Sequence, residues 1–341
     1  MSLAADLKDY ARNVGFHLVG ITSPEPFPEA ELDITRWLDQ GHQGEMAWLN
    51  AARTRLATRP QELLPGARSL IVVGVSYRTD EPAVGPGGRV ARYAWGGDYH
   101  AAMKSRLRLL GSFLSAQAGR QVRSRTFVDD GPLVERDAAI RAGLGFRGKN
   151  TNLLTPIGSY VFLGALLTDL ELAFDSPMPK DCGNCRLCID ACPTEALDQA
   201  YHLAAERCIA YLTIEHRGPI DVELRPKLGE WVFGCDICQE VCPYNASTRG
   251  RPSGWPEFEP CSFGTRLDLP AILELDDEAF RQKFRGSPIK RAKRRGLARN
   301  AALALGNRAR ADARPSLERA ATSDPEPVVR DAATWALARL D

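Results

Sequence analysis

The stretch from Cys182 to Pro243 constrains this chain more than any other. It opens with Cys182, Cys185, Cys188 and Cys192-Pro193, spaced C-x2-C-x2-C-x3-C-P. That spacing holds iron–sulfur clusters through thiolates. It closes with Cys235, Cys238 and Cys242-Pro243, the same run without its first cysteine, and Cys208 between the two can supply the missing ligand. Two 4Fe–4S clusters take four thiolates each; the runs plus Cys208 provide eight. The fourth cysteine of such a run ligates the other cluster. One cluster is therefore assigned Cys182, Cys185, Cys188 and Cys242, and the other Cys192, Cys208, Cys235 and Cys238. Zinc sites use four ligands at two-pair spacing and leave the steps of three followed by Cys-Pro unexplained. Disulfides require an oxidising compartment, and nothing in the sequence points to export.

A chain of 341 residues is long enough for two or three domains. Its 44% hydrophobic and 26% charged residues are ordinary for a globular protein. The N-terminus is polar, without the apolar segment of a signal peptide, and no apolar run approaches the ~20 residues that span a bilayer. The expectation is a cytoplasmic protein without a membrane segment, in a reducing setting that suits thiolate ligands. Cys261 lies outside both runs and reads as a buried or idle thiol.

Strands alternating with helices make residues 1–175 an α/β domain. Residues 69–77 form a continuous apolar run of strand length. A helix over 100–118 places Met103, Leu107, Leu110, Phe113 and Leu114 on one face. Residues 176–245 are the cluster segment, of ferredoxin type. Residues 246–260, rich in Pro, Gly and Ser, read as a linker to a helical C-terminus over 246–341. There Arg299-Asn-Ala-Ala302 is echoed by Arg330-Asp-Ala-Ala333. The echo suits either a HEAT-like two-helix repeat or a plain helical hairpin. The fold class is thus multidomain α+β or α/β.

Four further motifs carry weaker chemistry. Gly143, Gly145 and Gly148 spell G-x-G-x-x-G, but a dinucleotide fingerprint follows a strand and opens a helix, and here a helix precedes it. Asp98-Tyr99-His100 begins like a cobalt-ligating D-x-H-x-x-G loop, with Met103 where the glycine belongs; a helix cap explains it as well. Lys290, Arg291, Lys293, Arg294, Arg295 and Arg299 form a basic run, either a solvated face or a contact for a phosphate backbone. Asp129-Asp130-Gly131-Pro132 sits where a strand ends, which is where open α/β sheets gather ligands; a loop carboxylate or cap is the plainer alternative.

Together these residues resemble the epoxyqueuosine reductase family of tRNA modification. The likeness rests on Leu63–Ser69, Arg92–His100, Phe127–Arg136, Ala142–Asn150, the eight cysteines and Arg207–Glu215, and spans nearly the whole chain. It implies base-off cobalamin beside the two 4Fe–4S clusters, with no histidine on cobalt. It implies reduction of epoxyqueuosine to queuosine at the wobble position of tRNA, with Asp129 as proton donor. Between Asp129 and Asp130 the alternation of an extended strand lets only one face the pocket, and the family pattern chooses Asp129. Residues expected near cobalamin are Arg92, Tyr93, Asp129, Lys149, Asn150, Ser159 and Asp236. The C-terminal helices, with Lys290, Lys293 and Arg294, are expected to grip tRNA. An external flavodoxin- or ferredoxin-type donor and a monomeric state complete the expectation. In two places the chain departs from some members: Ala91 replaces a cysteine, and Ala57 an arginine for which Arg55 or Arg59 could substitute.

Overall fold

The computed structural model describes residues 2–79, 85–246, 251–309 and 311–340. Helix α1 (Leu3–Asn13) starts at Ser2, whose side chain caps Ala5 N, and buries Leu7 and Ala11. It leads into β1 (Leu18–Thr22). Strand β2 (Ser69–Ser76) is buried along its whole length. Helix α2 (Tyr99–Ala118) is capped by Asp98 at one end and by left-handed Gly119 at the other. Strand β3 (Ser124–Phe127), helix α3 (Glu135–Arg141) and strand β4 (Val161–Thr168) follow.

The four strands form one sheet in the order β1-β2-β4-β3. Its two faces follow the period-2 alternation of β2. Ile71, Val73 and Val75 join α1 and the Met103, Leu107, Leu110 and Leu114 face of α2. Leu70 and Val72 join Phe127, Ala138 and Ala139 on the α3 side. Every neighbouring pair in this sheet is antiparallel, so the domain is α+β rather than α/β. The helical connections could have served parallel crossovers, and the alternation of elements alone does not reveal strand direction.

A second sheet sets Trp231–Phe233, Gly88–Val90 and Arg266–Leu267 side by side. It draws one strand from each of the three segments read in the sequence. The core beneath it does the same, joining Val90, Ala94 and Trp95 to Ile209, Leu212, Phe233, Leu297 and Ala301. The expected linker is not free chain over its described residues. Trp255 and Phe258 are 4% and 3% exposed and stack on each other. Trp255 Nε1 donates to Gly15 O at 3.0 Å, and Arg106 lies 3.7 Å over the indole ring. Two aromatic anchors outweigh the Pro/Gly composition; residues 247–250 of that stretch lie outside the described ones.

At the C-terminus α4 (Lys293–Arg308), α5 (Arg314–Ser323) and α6 (Pro327–Leu337) pack together, with α6 against both others. Among the described residues no helix is long and apolar enough to cross a membrane.

Candidate active site and cluster segment

Strand β3 ends at Phe127, and Asp129 then turns left-handed with φ +58°, a conformation unfavourable for a residue with a Cβ. The strand alternation invoked for Asp129 and Asp130 therefore does not apply, because neither lies in the strand. The two still diverge. Tyr99 Oη donates to Asp129 Oδ2 at 2.8 Å, whereas Asp130 pairs with Lys104 on α2. Gly131 is required: a Cβ there would stand 2.5 Å from the Phe127 ring. Glu135, in the first turn of α3, accepts the Asp129 N–H with both carboxylate oxygens at 3.0 Å. Burial and then the facing Asp129 push Glu135 up to about 8.

Asp129 lines a cavity of about 870 Å³ together with Tyr99, Trp48, Arg53, Arg136 and Asn152. Further lining, Gln199–Leu203, comes from the cluster segment. Sequence reasoning missed most of this lining. Trp48 is 46% exposed, with Arg53 stacked 5.2 Å from its ring, and Arg53 Nη2 donates to Gly131 O at 3.2 Å. Neither substitute arginine lines the cavity: Arg55 pairs with Glu62 and Arg59 with Glu31. Ala57 itself does line it. The basic spacing of 53, 55 and 59 carries no sign of which one points inward.

The cysteines gather in two groups. Burial raises each of the following thiols first, and neighbouring cysteines raise it further. Cys188 senses Cys182 and Cys242, and Cys242 senses Cys182 and Cys185. Cys208 senses Cys192, Cys235 senses Cys208 and Cys192, and Cys238 senses Cys235 and Cys208 ahead of Cys188 from the first group. Short helices within the two runs, Leu187–Asp190 and Ile237–Glu240, pack on each other. The second group abuts the cavity wall, with Asn152 Nδ2 3.9 Å from Cys238 Sγ. Cys261 stands apart as a half-buried free thiol.

Of the residues expected near a cofactor, Asp129 lines the cavity. Among the others, Lys149, Asn150 and Ser159 hydrogen-bond to the cluster segment, and Asp236 lies within it and holds the Arg92 backbone. Lys149 Nζ donates to Gly183 O at 2.6 Å and Asn150 Nδ2 to Cys238 O at 3.3 Å. Ser159 Oγ donates to Gln239 Oε1 at 2.8 Å. Asp236 accepts Arg92 N–H at 2.7 Å, and burial pushes its carboxyl up to about 6. Tyr93 is held protonated by burial and then by the charges of Asp129 and Asp236. The glycine motif leaves a helix: Gly143, φ +75°, ends α3, and Phe146–Arg147 pairs with Leu153–Leu154. His100 Nδ1 lies 2.6 Å from Asp98 Oδ1 and its ring stacks on Tyr99.

The basic run divides. Lys290 and Lys293 are exposed. Arg291 forks onto Glu215 at 2.8 and 3.0 Å. Arg294 is buried against Asp324 and Leu275 O, which corrects its expected place on a tRNA-facing surface. Arg299, 1% exposed, donates to the carbonyls of Leu212, His216 and Gly218. A count of basic residues does not separate solvated lysines from arginines that satisfy buried carbonyls.

Comparison with known proteins follows the same division. Residues 181–245 match the 4Fe-4S double cluster binding domain, and residues 58–130 match the family described as epoxyqueuosine reductase QueG, DUF1730. The epoxyqueuosine reductase of Pseudomonas aeruginosa is 40% identical, covering 99% of this chain and 94% of that protein. The Escherichia coli K12 enzyme is 40% identical, covering 89% and 81%. A solved epoxyqueuosine reductase with an epoxyqueuosine-modified stem loop of tyrosine tRNA superposes with TM-score 0.91 at 32% identity, over 99% of this chain and 90% of the other. The Streptococcus thermophilus enzyme gives 0.89 at 28% identity, over 100% and 90%.

Proposed function

Because this chain belongs to the epoxyqueuosine reductase family, we propose that it reduces the epoxide of epoxyqueuosine at the wobble position of tRNA to the alkene of queuosine. The observation that carries this reading is the cavity itself. It has Asp129 on its wall, and Asn152 on the same wall reaches the sulfur of Cys238. A proton donor and an electron source thus border one space.

The conversion of an epoxide to an alkene consumes two electrons and two protons and releases water. Cys182, Cys185, Cys188 and Cys242 hold one 4Fe–4S cluster, and Cys192, Cys208, Cys235 and Cys238 the other. An external flavodoxin- or ferredoxin-type protein supplies electrons one at a time. The cavity offers cobalamin a mixture of apolar wall and arginines. Arg53, Arg136 and Asn152 would hold the cofactor from the wall, with Arg92, Tyr93, Lys149, Asn150, Ser159 and Asp236 behind them at the cluster interface. When bound and reduced, cobalamin supplies a strong nucleophile for an epoxide carbon.

Asp129 gives its proton to the epoxide oxygen as negative charge develops there. Tyr99 fixes the Asp129 carboxyl by its 2.8 Å hydrogen bond. The HEAT-like C-terminal helices and the exposed Lys290 and Lys293 hold the RNA backbone, and phosphate contacts set register while the cavity reads the base. The wobble nucleotide leaves its stack to reach the cavity. Residues 1–175, 176–245 and 246–341 thereby divide catalysis, electron relay and RNA grip in a cytoplasmic monomer.

Anaerobic purification tests the reading. About eight iron atoms per chain, bound cobalamin and turnover of epoxyqueuosine tRNA with reductant are expected. Paramagnetic resonance of the cob(II)alamin form should lack axial nitrogen splitting. A splitting abolished by His100→Ala or His202→Ala would overturn the expectation of cobalt without a histidine ligand, since His202 also lines the cavity. Stoichiometric zinc without iron would end the cluster assignment.

A further inference from the structure

We propose that Glu135 is a positioning residue that clamps Asp129 in its left-handed conformation, so that the Asp129 carboxyl stays beside Tyr99 on the cavity wall. The inference rests on the reading of Asp129 as proton donor.

A non-glycine residue at φ +58° needs its surroundings to hold it there. Three other ties act nearby. Asp130 N donates to Val128 O at 2.6 Å, closing a three-residue turn with Asp129 at its centre; Lys104 pairs with the Asp130 carboxylate, and Arg53 donates to Gly131 O. None of them engages the Asp129 N–H. Among the described residues only the Glu135 carboxyl does so, with both oxygens 3.0 Å from the Asp129 nitrogen. Glu135 is itself fixed as the first residue of α3. With N–H held from below and Oδ2 held by Tyr99, the Asp129 carboxyl has one place to be. Without Glu135, the residue is free to relax toward the extended region and withdraw from Tyr99.

The groups facing Glu135 are Asp129, Asp130, Lys104 and Tyr99, and burial with the Asp129 charge pushes its carboxyl up to about 8. An ionised carboxylate accepts an N–H more strongly than a neutral one. The clamp therefore tightens as pH rises through that value.

The test uses cluster- and cobalamin-loaded enzyme with epoxyqueuosine stem-loop RNA. Glu135→Ala should lower kcat by about tenfold to a hundredfold, the cost of a misplaced reacting group, with KM for RNA, iron and cobalamin unchanged. Glu135→Gln keeps an acceptor without the charge. It should match the wild type near pH 6.5 and fall progressively behind above pH 8. A crystal structure of Glu135→Ala should show residue 129 out of the left-handed region. Wild-type kcat in Glu135→Ala, or Asp129 still left-handed at Tyr99 in that variant, overturns the inference. So does a constant ratio of Glu135→Gln to wild type across pH, which also serves if the alanine variant does not fold. Full activity in Asp129→Asn would instead remove the underlying proton-donor reading.

Discussion

Tyr99 and Asp129 meet through a hydrogen bond of 2.8 Å between α2 and the loop after β3. The tyrosine ring is itself locked, stacked on Phe162 at 4.0 Å between centroids and nearly parallel to it at 11°. Burial and the Asp129 charge keep the phenol protonated, so Tyr99 is the donor and Asp129 the acceptor. Asp130, tied to Lys104, has no such partner on the cavity side. Asp129→Asn should keep iron, cobalamin and RNA affinity while losing turnover about a hundredfold or more, the usual scale for a general acid. Asp130→Asn should stay within a few fold. Single-turnover rates with reduced enzyme decide between them; the opposite ranking would move the acid to Asp130.

In the proposed ligand sets Cys208 supplies the ligand that the second run lacks, although it lies outside either run. Its neighbours in the structure are Cys192 and Cys235. Cys208→Ser should reduce iron from about eight to about four atoms per chain and leave one cluster signal in the paramagnetic resonance spectrum of reduced enzyme. Retention of both signals would contradict the ligand sets.

The sequence disclosed what depends on local spacing. Cysteine steps, the apolar run of β2 and the 3.6-residue face of α2 are all short-range patterns, and the corresponding elements lie where they were expected. Strand direction was not legible, because it depends on which strands become neighbours. The cavity lining was hidden for the same reason: Trp48 with Arg53, Arg136 and Asn152 converge from three stretches of the chain. Trp255 and Phe258 show how composition misleads, since two buried rings decide the path of a Pro/Gly-rich stretch.

His17 predicts a pH limit on stability. Its Nδ1 accepts the Ser76 N–H at 3.1 Å, which only the neutral ring can do. Burial and then Arg251 lower it from 6.5 to about 4. The unfolded chain therefore binds a proton that the folded chain refuses between those values. Stability from this site is fully present above pH 6.5 and is lost as pH falls toward 4. His17→Gln should flatten that part of the curve: thermal midpoints of wild type and variant, compared from pH 7 to pH 4, should converge on the acid side. Parallel curves would show that His17 is not responsible.

Arg294 and the exposed lysines beside it should fail in different ways. Arg294 Nη1 donates to Asp324 Oδ1 at 2.8 Å, and both side chains are buried. Its removal strands a buried carboxylate, and breaking such a pair costs about 3–5 kcal/mol. Arg294→Ala should therefore lower the thermal midpoint sharply, whether or not RNA is present. Lys290 and Lys293 lie on the surface, and Lys290 is near enough to Asp98 to lower its pKa together with His100. That places the lysine close to the start of α2, whose first residue, Tyr99, reaches Asp129. Lys290→Gln with Lys293→Gln should leave the thermal midpoint unchanged and weaken stem-loop RNA binding. The slope of log affinity against log salt should flatten by about 0.7 for each phosphate that the double variant no longer neutralises, if the RNA there is single-stranded. An unchanged slope in the double variant would make these lysines a solvated face and shift the RNA grip elsewhere on the C-terminal helices.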